Sequence, residues 1–242
     1  MSLNHQDGLR SAASRQVAPG DQARADLVAA GRLLLGRGLL SQTSGNLSVK
    51  LGNGDIYVTP TSIEYDRISP DDIVVVGPDG AIRHGSRVPS SETPLHCLVY
   101  ESRPEITAIV HTHSPYATTL AVLGMSIPAV HYMIAALETD EIAVAGYATY
   151  GTDALARNVR RAFGAPSRAV LIANHGVVTV GESLKRAADA AEAVETLAGL
   201  YYRSLAIGKP NVLSTEQMAE VAAKYRAKSA PRLADRGTDQ LR

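Results

Sequence analysis

The chain has 242 residues with 24 basic and 24 acidic side chains, so its formal net charge is zero, which excludes the basic footprint of a nucleic-acid binder or of a protein drawn to anionic lipid. A lone cysteine, Cys97, allows no intramolecular disulfide and fits a reducing cytoplasm. With 45% hydrophobic residues and no run near the roughly 18–20 apolar residues of a membrane span, the composition suits one large cytoplasmic domain.

Residues 1–20 are polar, lack an apolar core of signal-peptide type and read as a flexible lead-in to a domain over 21–228. Asp21 is placed to cap a helix running to about Arg37, with Gly38 at its end. The polar turn 41–46 leads to a strand over 47–51, which Asn53-Gly54 joins to a strand over 55–59 as a hairpin. A second hairpin turns at Gly77-Pro78-Asp79-Gly80. A helix over 95–101 carries Pro94 in its first turn, then an apolar strand over 106–112 meets a helix start at Ser114-Pro115. A helix opens at Gly151-Thr152-Asp153, and an apolar strand over 169–173 breaks at Asn174-His175-Gly176 before resuming over 177–180. A long helix over about 182–207 stops at Gly208, and Ser214-Thr215-Glu216-Gln217 is a capping box for a last helix ending near Lys228, before a loose tail over 229–242. Hairpins among helices argue for a single α/β layered domain whose sheet is mixed and in part antiparallel.

Of seven histidines, His111, His113 and His175 stand at the polar end or break of an apolar strand. Residues i and i+2 of a strand project from the same face, so His111 and His113 point together, roughly 6–7 Å apart at the backbone. Two such imidazoles can converge on one metal ion, and a third with a carboxylate or water would complete a Zn²⁺-type catalytic site. Glu92 is the candidate carboxylate, although its place at a helix entrance also suits an acid that complements the helix dipole. His96, inside a helix, reads as a structural histidine. Three hydroxyl- and amide-rich clusters, 44–46, 59–62 and 90–91, can form an anion cradle or ordinary turns. No glycine-rich nucleotide fingerprint is present.

Ser44-Gly45-Asn46, Thr59-Pro60-Thr61, Pro89-Ser90-Ser91-Glu92, Val110-His111-Thr112-His113, Ile127-Pro128-Ala129-Val130-His131-Tyr132, Tyr147-Ala148-Thr149-Tyr150-Gly151 and Asn174-His175-Gly176 stand in this order. The set resembles the class II aldolase/adducin family, most closely its L-fuculose-1-phosphate aldolase branch, from about Gln22 to Tyr225. The resemblance implies a three-layer αβα domain with a central mixed, largely antiparallel sheet. It implies one divalent ion per subunit, most often Zn²⁺, on His111, His113 and His175, with Glu92 both touching the ion and acting as acid/base. It also implies a phosphate site at Gly45, Asn46, Thr61, Ser62, Ser90 and Ser91, and a Tyr132 that protonates the aldehyde oxygen. Members of the family are usually fourfold-symmetric homotetramers with active sites between subunits. Two departures bear on sugar specificity and on how the aldehyde is held. Ser62 replaces a glycine, and Lys228 aligns where the fuculose enzyme has a second tyrosine, with Tyr225 out of register.

The implied reaction is metal-dependent retro-aldol cleavage of a ketose 1-phosphate to dihydroxyacetone phosphate and an aldehyde. The loop around 135–142 and the C-terminal segment would then set the choice of aldehyde. A Schiff-base route needs a pocket lysine, and residues 50, 185, 209, 224 and 228, the lysines, lie outside every site motif. Pentulose-phosphate 4-epimerases share the fold but carry Asp at the position of Glu92, which favours aldolase. Decarboxylation of a 3-oxo-4-phospho sugar acid is a second enzymatic reading. An adducin-like interaction module is the non-enzymatic one, disfavoured because all four ligand positions are filled.

Overall fold

A computed structural model of the chain describes residues 18–164 and 166–229. Most of the expected lead-in and tail, 1–17 and 230–242, lies outside the described residues. In chain order the strands are β1 (Asn46–Lys50), β2 (Ile56–Val58), β3 (Val74–Val76), β4 (Ile82–His84), β5 (Ala108–Thr112), β6 (Ile127–Pro128), β7 (Glu141–Ile142), β8 (Val144–Ala145), β9 (Ala169–Ile172) and β10 (Gly176–Gly181). The α-helices are α1 (Pro19–Gly36), α2 (Thr93–Ser102), α3 (Pro115–Val122), α4 (Asp153–Ala162), α5 (Leu184–Ile207) and α6 (Thr215–Ser229).

Eight strands hydrogen-bond in the order β4-β3-β2-β1-β5-β10-β9-β8, antiparallel at every step except β8–β9. The two hairpins read from Asn53-Gly54 and Gly77–Gly80 supply β1–β2 and β3–β4, which is why the sheet is mixed and largely antiparallel. β6 and β7 pair separately.

Side-chain alternation on the central strands sets the layers. Ile109 of β5 and Val178 and Val180 of β10 pack with Leu95 and Val99 of α2 and Leu155 and Val159 of α4. Ala108 and Val110 of β5 face the opposite way, against Leu27 of α1 and Ala187 and Ala191 of α5. Helices therefore cover both faces, giving three layers. The consequence for the site is direct: His111 continues the Ile109 side, toward α2, whereas Thr112 continues the α1–α5 side.

Several boundaries differ from the sequence reading for local reasons. α1 starts at Pro19, whose fixed φ suits the first turn, so Asp21 lies inside that turn instead of capping it. Asn46 opens β1 and is not part of the turn before it. The stretch 135–142, expected as a loop, belongs to a 3₁₀ helix, Tyr132–Leu137, and to β7. The capping box of α6 is present: Ser214 N–H donates to Gln217 Oε1 at 2.8 Å and Gln217 N–H to Ser214 Oγ at 3.2 Å.

Candidate active site

Four elements deliver the site. β5 carries His111, and His113 follows directly after its last residue, Thr112, with its ring against that of His111 as a period of two requires. His175 sits in the turn between β9 and β10, after Asn174 at φ +54°, a left-handed conformation that asparagine tolerates. Gly176 then lets β10 run close beneath the imidazoles. A Cβ there would lie 2.4 Å from the Thr112 carbonyl oxygen and 2.8 Å from His113 Cδ2, so no larger residue fits without displacement. Glu92 is the N-cap of α2 and is buried.

The three imidazoles pack edge to face, with ring centroids 4.8, 4.9 and 5.0 Å apart, and their available nitrogens lie within 4.8 Å of one another. His111 Nε2 and His113 Nε2 are 3.0 Å apart. Glu92 Oε2 is 3.1 Å from His111 Nε2, and its Oε1 is 3.5 Å from His175 Nε2. The structure thus gathers four residues that the sequence singled out across a separation of 83 residues, from 92 to 175.

Three observations fit a divalent ion. His111 Nδ1–H donates to the Val177 carbonyl at 2.9 Å, which fixes the ring and turns Nε2 toward its partners. Glu92 Oε1 is buried with no hydrogen-bond partner. A tetrahedral Zn²⁺ with bonds of about 2.0–2.1 Å needs ligand atoms about 3.3 Å apart, close to the spacing found here.

The electrostatics agree. Burial lowers His113 to about 3 and His175 to about 4, and the neighbouring His111 charge adds to both shifts, so these two rings are neutral at ordinary pH, the form that could ligate a cation. Burial also works against the Glu92 charge, yet His111 and His175 beside it and the Asn46 hydrogen bond hold its carboxyl well below the usual carboxylate range. Burial lowers His111 as well, but Glu92 outweighs it and the net shift is upward. A proton on His111 Nε2 and a cation therefore compete for the same lone pair.

The hydroxyl clusters meet beside this centre. Thr61 N–H donates to Val88 O at 3.0 Å and Ser90 N–H to Thr59 O at 3.1 Å, binding the 59–62 loop to the 88–91 loop. Leu47 N–H donates to Thr59 Oγ1 at 3.1 Å, which ties in β1 next to Gly45 and Asn46. Thr61, Ser62 and Ser91 are exposed, and Ser90 is buried, its Oγ accepting from Glu92 N–H at 3.2 Å. Ser62 has φ +61°, the left-handed region that favours glycine, and this explains why a glycine can stand at the matching position of a relative. The Asn46 side chain turns toward Glu92, to which its Nδ2 donates at 2.8 Å. Tyr132 lies apart at the start of the 3₁₀ helix, half exposed, against His131 with centroids 4.6 Å apart. Sequence reasoning missed the polar side chains behind the site: Ser48, His96 and Tyr100. The signals were present, since His96 stands four residues after Glu92 on one helix and Ser48 two after Asn46 on one strand.

A mixed sheet that brings three imidazoles and one carboxylate to the edge of a hydroxyl-lined loop pair defines an enzyme site. The chain belongs to the class II aldolase and adducin family: residues 25–202 match its N-terminal domain. It is 38% identical over 203 residues to the 5-deoxy-D-ribulose 1-phosphate aldolase of Bacillus thuringiensis serovar kurstaki, covering 84% of this chain and 94% of that one. It is 40% identical over 203 residues to the 5-methylthioribulose-1-phosphate/5-deoxyribulose-1-phosphate aldolase of Rhodospirillum rubrum, covering 84% and 90% of the two chains. A solved L-fuculose 1-phosphate aldolase superposes with a TM-score of 0.82 at 38% identity, covering 88% of this chain and 99% of that one. The enzyme is a carbon–carbon lyase of class II type.

Proposed function

We propose that the enzyme cleaves a ketose 1-phosphate between C3 and C4 to dihydroxyacetone phosphate and a short aldehyde. The observation that carries this reading is the convergence of Glu92 with His111, His113 and His175 beside the joined hydroxyl loops. His111, His113 and His175 would hold one divalent ion, with Glu92 as a further contact. Zn²⁺ suits that donor set, and the ion would supply Lewis-acid stabilisation of negative charge on the substrate oxygens.

The remaining steps belong to the chain. Gly45, Thr61, Ser62, Ser90 and Ser91 bind the phosphate through hydroxyls and turn N–H groups, with the second Nδ2–H of Asn46 as a further donor, next to the N-terminus of α2, which favours an anion. As the C3–C4 bond breaks, its electron pair stays on C3 and the O4 proton passes to the Tyr132 oxygen while the phenol's own proton leaves to solvent. Glu92 takes up a proton from solvent on Oε1 and delivers it to C3, which completes dihydroxyacetone phosphate and returns the carboxylate. The three named relatives are aldolases of 5-deoxyribulose, 5-methylthioribulose or fuculose phosphates, which supports a short aldehyde ending in a methyl or methylthio group. The exposure of Tyr132 in a single chain supports a homotetramer in which that tyrosine serves a neighbouring subunit's site.

A panel of aldehydes incubated with dihydroxyacetone phosphate tests the proposal. Carbon–carbon bond formation is expected with Zn²⁺ and should vanish with chelator. Activity that survives chelation but is lost to borohydride in the presence of substrate would mean Schiff-base chemistry. Release of CO₂ from a phosphorylated 3-oxo acid, with no cleavage to dihydroxyacetone phosphate, would make the enzyme a decarboxylase.

A further inference from the structure

Glu92, His96 and Tyr100 are spaced by four residues from the N-cap of α2 onward, so they share one helix face. Asn46 and Ser48 are spaced by two along β1, so they share one strand face. These two faces interlock in a single buried row, each of the five residues 5% exposed or less. Tyr100 Oη is 2.8 Å from Ser48 Oγ, and Ser48 Oγ is 2.6 Å from His96 Nδ1. His96 Nε2 is 2.6 Å from Asn46 Oδ1, and Asn46 Nδ2 is 2.8 Å from Glu92 Oε2. Tyr100 also reaches the Thr107 carbonyl, at a longer 3.4 Å.

What each atom can donate or accept orders the row. An ionised Glu92 only accepts, so Asn46 must turn its NH₂ group to the carboxylate and its Oδ1 to His96. Oδ1 only accepts, so the His96 proton sits on Nε2. The other nitrogen, Nδ1, then accepts the Ser48 hydroxyl, whose oxygen accepts from Tyr100. Burial keeps His96 neutral by pushing it down to about 3. The opposite tautomer would flip the Asn46 amide and set its carbonyl oxygen against the carboxylate.

We propose that His96 is a positioning residue for Glu92. Its Nε2–H locks the Asn46 amide, the amide holds Glu92 Oε2, and Oε1 is left as the oxygen that faces the reaction. Glu92 Oε1 is indeed the buried oxygen without a hydrogen-bond partner. The part assigned to Oε1 rests on the aldolase reading; the hydrogen-bonded row does not.

Two measurements separate these. In ¹⁵N-histidine-labelled enzyme, His96 is expected as a neutral Nε2–H tautomer across neutral pH, with or without Zn²⁺. An Nδ1–H tautomer or an imidazolium would overturn the inference, whatever reaction the enzyme catalyses. In the cleavage assay, His96→Leu should lower kcat by about 10–100-fold, the usual effect of losing a partner behind a metal site, with little change in KM. His96→Gln, whose Nε2 can still donate to Asn46, should recover most of that loss. Equal losses in H96L and H96Q, or a wild-type kcat in H96L, would reduce His96 to a packing residue and sink the proposal. Should H96L fail to fold, Ser48→Ala removes only the hydroxyl on Nδ1 and leaves Asn46 Oδ1 facing Nε2. His96 should then stay an Nε2–H tautomer and the enzyme keep most of its kcat, and a shift to Nδ1–H would overturn the lock. Failure of the aldehyde panel with an intact Nε2–H signal would instead refute the proposed reaction alone.

Discussion

At the scale of single residues, the site depends on which atoms are free. The Glu92 carboxylate has one oxygen committed to Asn46 and His111 and the other without a hydrogen-bond partner. Glu92→Gln keeps an oxygen that can accept from Asn46 but cannot shuttle a proton. It should therefore bind Zn²⁺ through the three imidazoles and lose about 10²–10⁴-fold in kcat, the range for removing a general acid–base. Loss of solvent deuterium exchange into dihydroxyacetone phosphate alone would report the same defect. Exchange at the wild-type rate in E92Q would show that another group moves the proton. The histidine pair was legible in the sequence because a strand period of two is a local rule. The four-residue spacing of Glu92 and His96 was local too, but its meaning depends on which strand docks on α2, and no local pattern records that β1 does. Ser62 is a third case. Its departure from glycine was visible in the chain, whereas the left-handed φ that makes it costly, by about 1–3 kcal/mol, is visible only in the fold.

Among the elements, the β9–β10 turn matters most. The apolar run broken at Asn174-His175-Gly176 read as one strand interrupted and resumed, and in the fold its two halves are β9 and β10, which turn back on each other as an antiparallel pair. The close approach of β10 to β5 was hidden, since it sets Gly176 against Thr112 and His113 across more than sixty residues of chain. Gly176→Ala should force the two strands apart and cost about 1–3 kcal/mol, typical of one methyl added to a tightly packed site. Its diagnostic effect is on the metal. Zn²⁺ stoichiometry by elemental analysis should fall well below one per chain, while Gly208→Ala, at a glycine with open space around it, should leave stoichiometry and stability unchanged. Full metal content in G176A would mean that the histidine cluster tolerates a shift of β10. The layered sheet itself was readable from hairpin and helix signals. The start of α1 moved because proline, not a side-chain cap, set its first turn.

For the whole molecule, the distribution of exposed apolar groups calls for a partner. Val122, Leu123, Tyr132, Tyr147 and Tyr150 are each more than half exposed, and they flank the elements that carry the site. Gly151, beside two of these tyrosines, packs its Cα against Ser91, since a Cβ there would meet the Ser91 carbonyl oxygen at 3.0 Å. An oligomer that buries this surface would bring a neighbour's side chains to the mouth of the His111, His113 and His175 cluster. Light scattering should then give four chain masses. Sharing of the site can be tested by complementation. On the proposed function His111→Ala removes a metal ligand and Tyr132→Phe removes the group that relays the O4 proton, so each homo-oligomer should be inactive. In a mixed oligomer, a Y132F chain supplies an intact ligand set and a neighbouring H111A chain supplies an intact Tyr132. Random equal mixing leaves half the ligand sets and, independently, half the tyrosines intact, so about one quarter of wild-type activity should return if the site spans two subunits of a closed ring. No recovery in mixed oligomers of confirmed composition would place Tyr132 in the site of its own chain, or out of the reaction altogether.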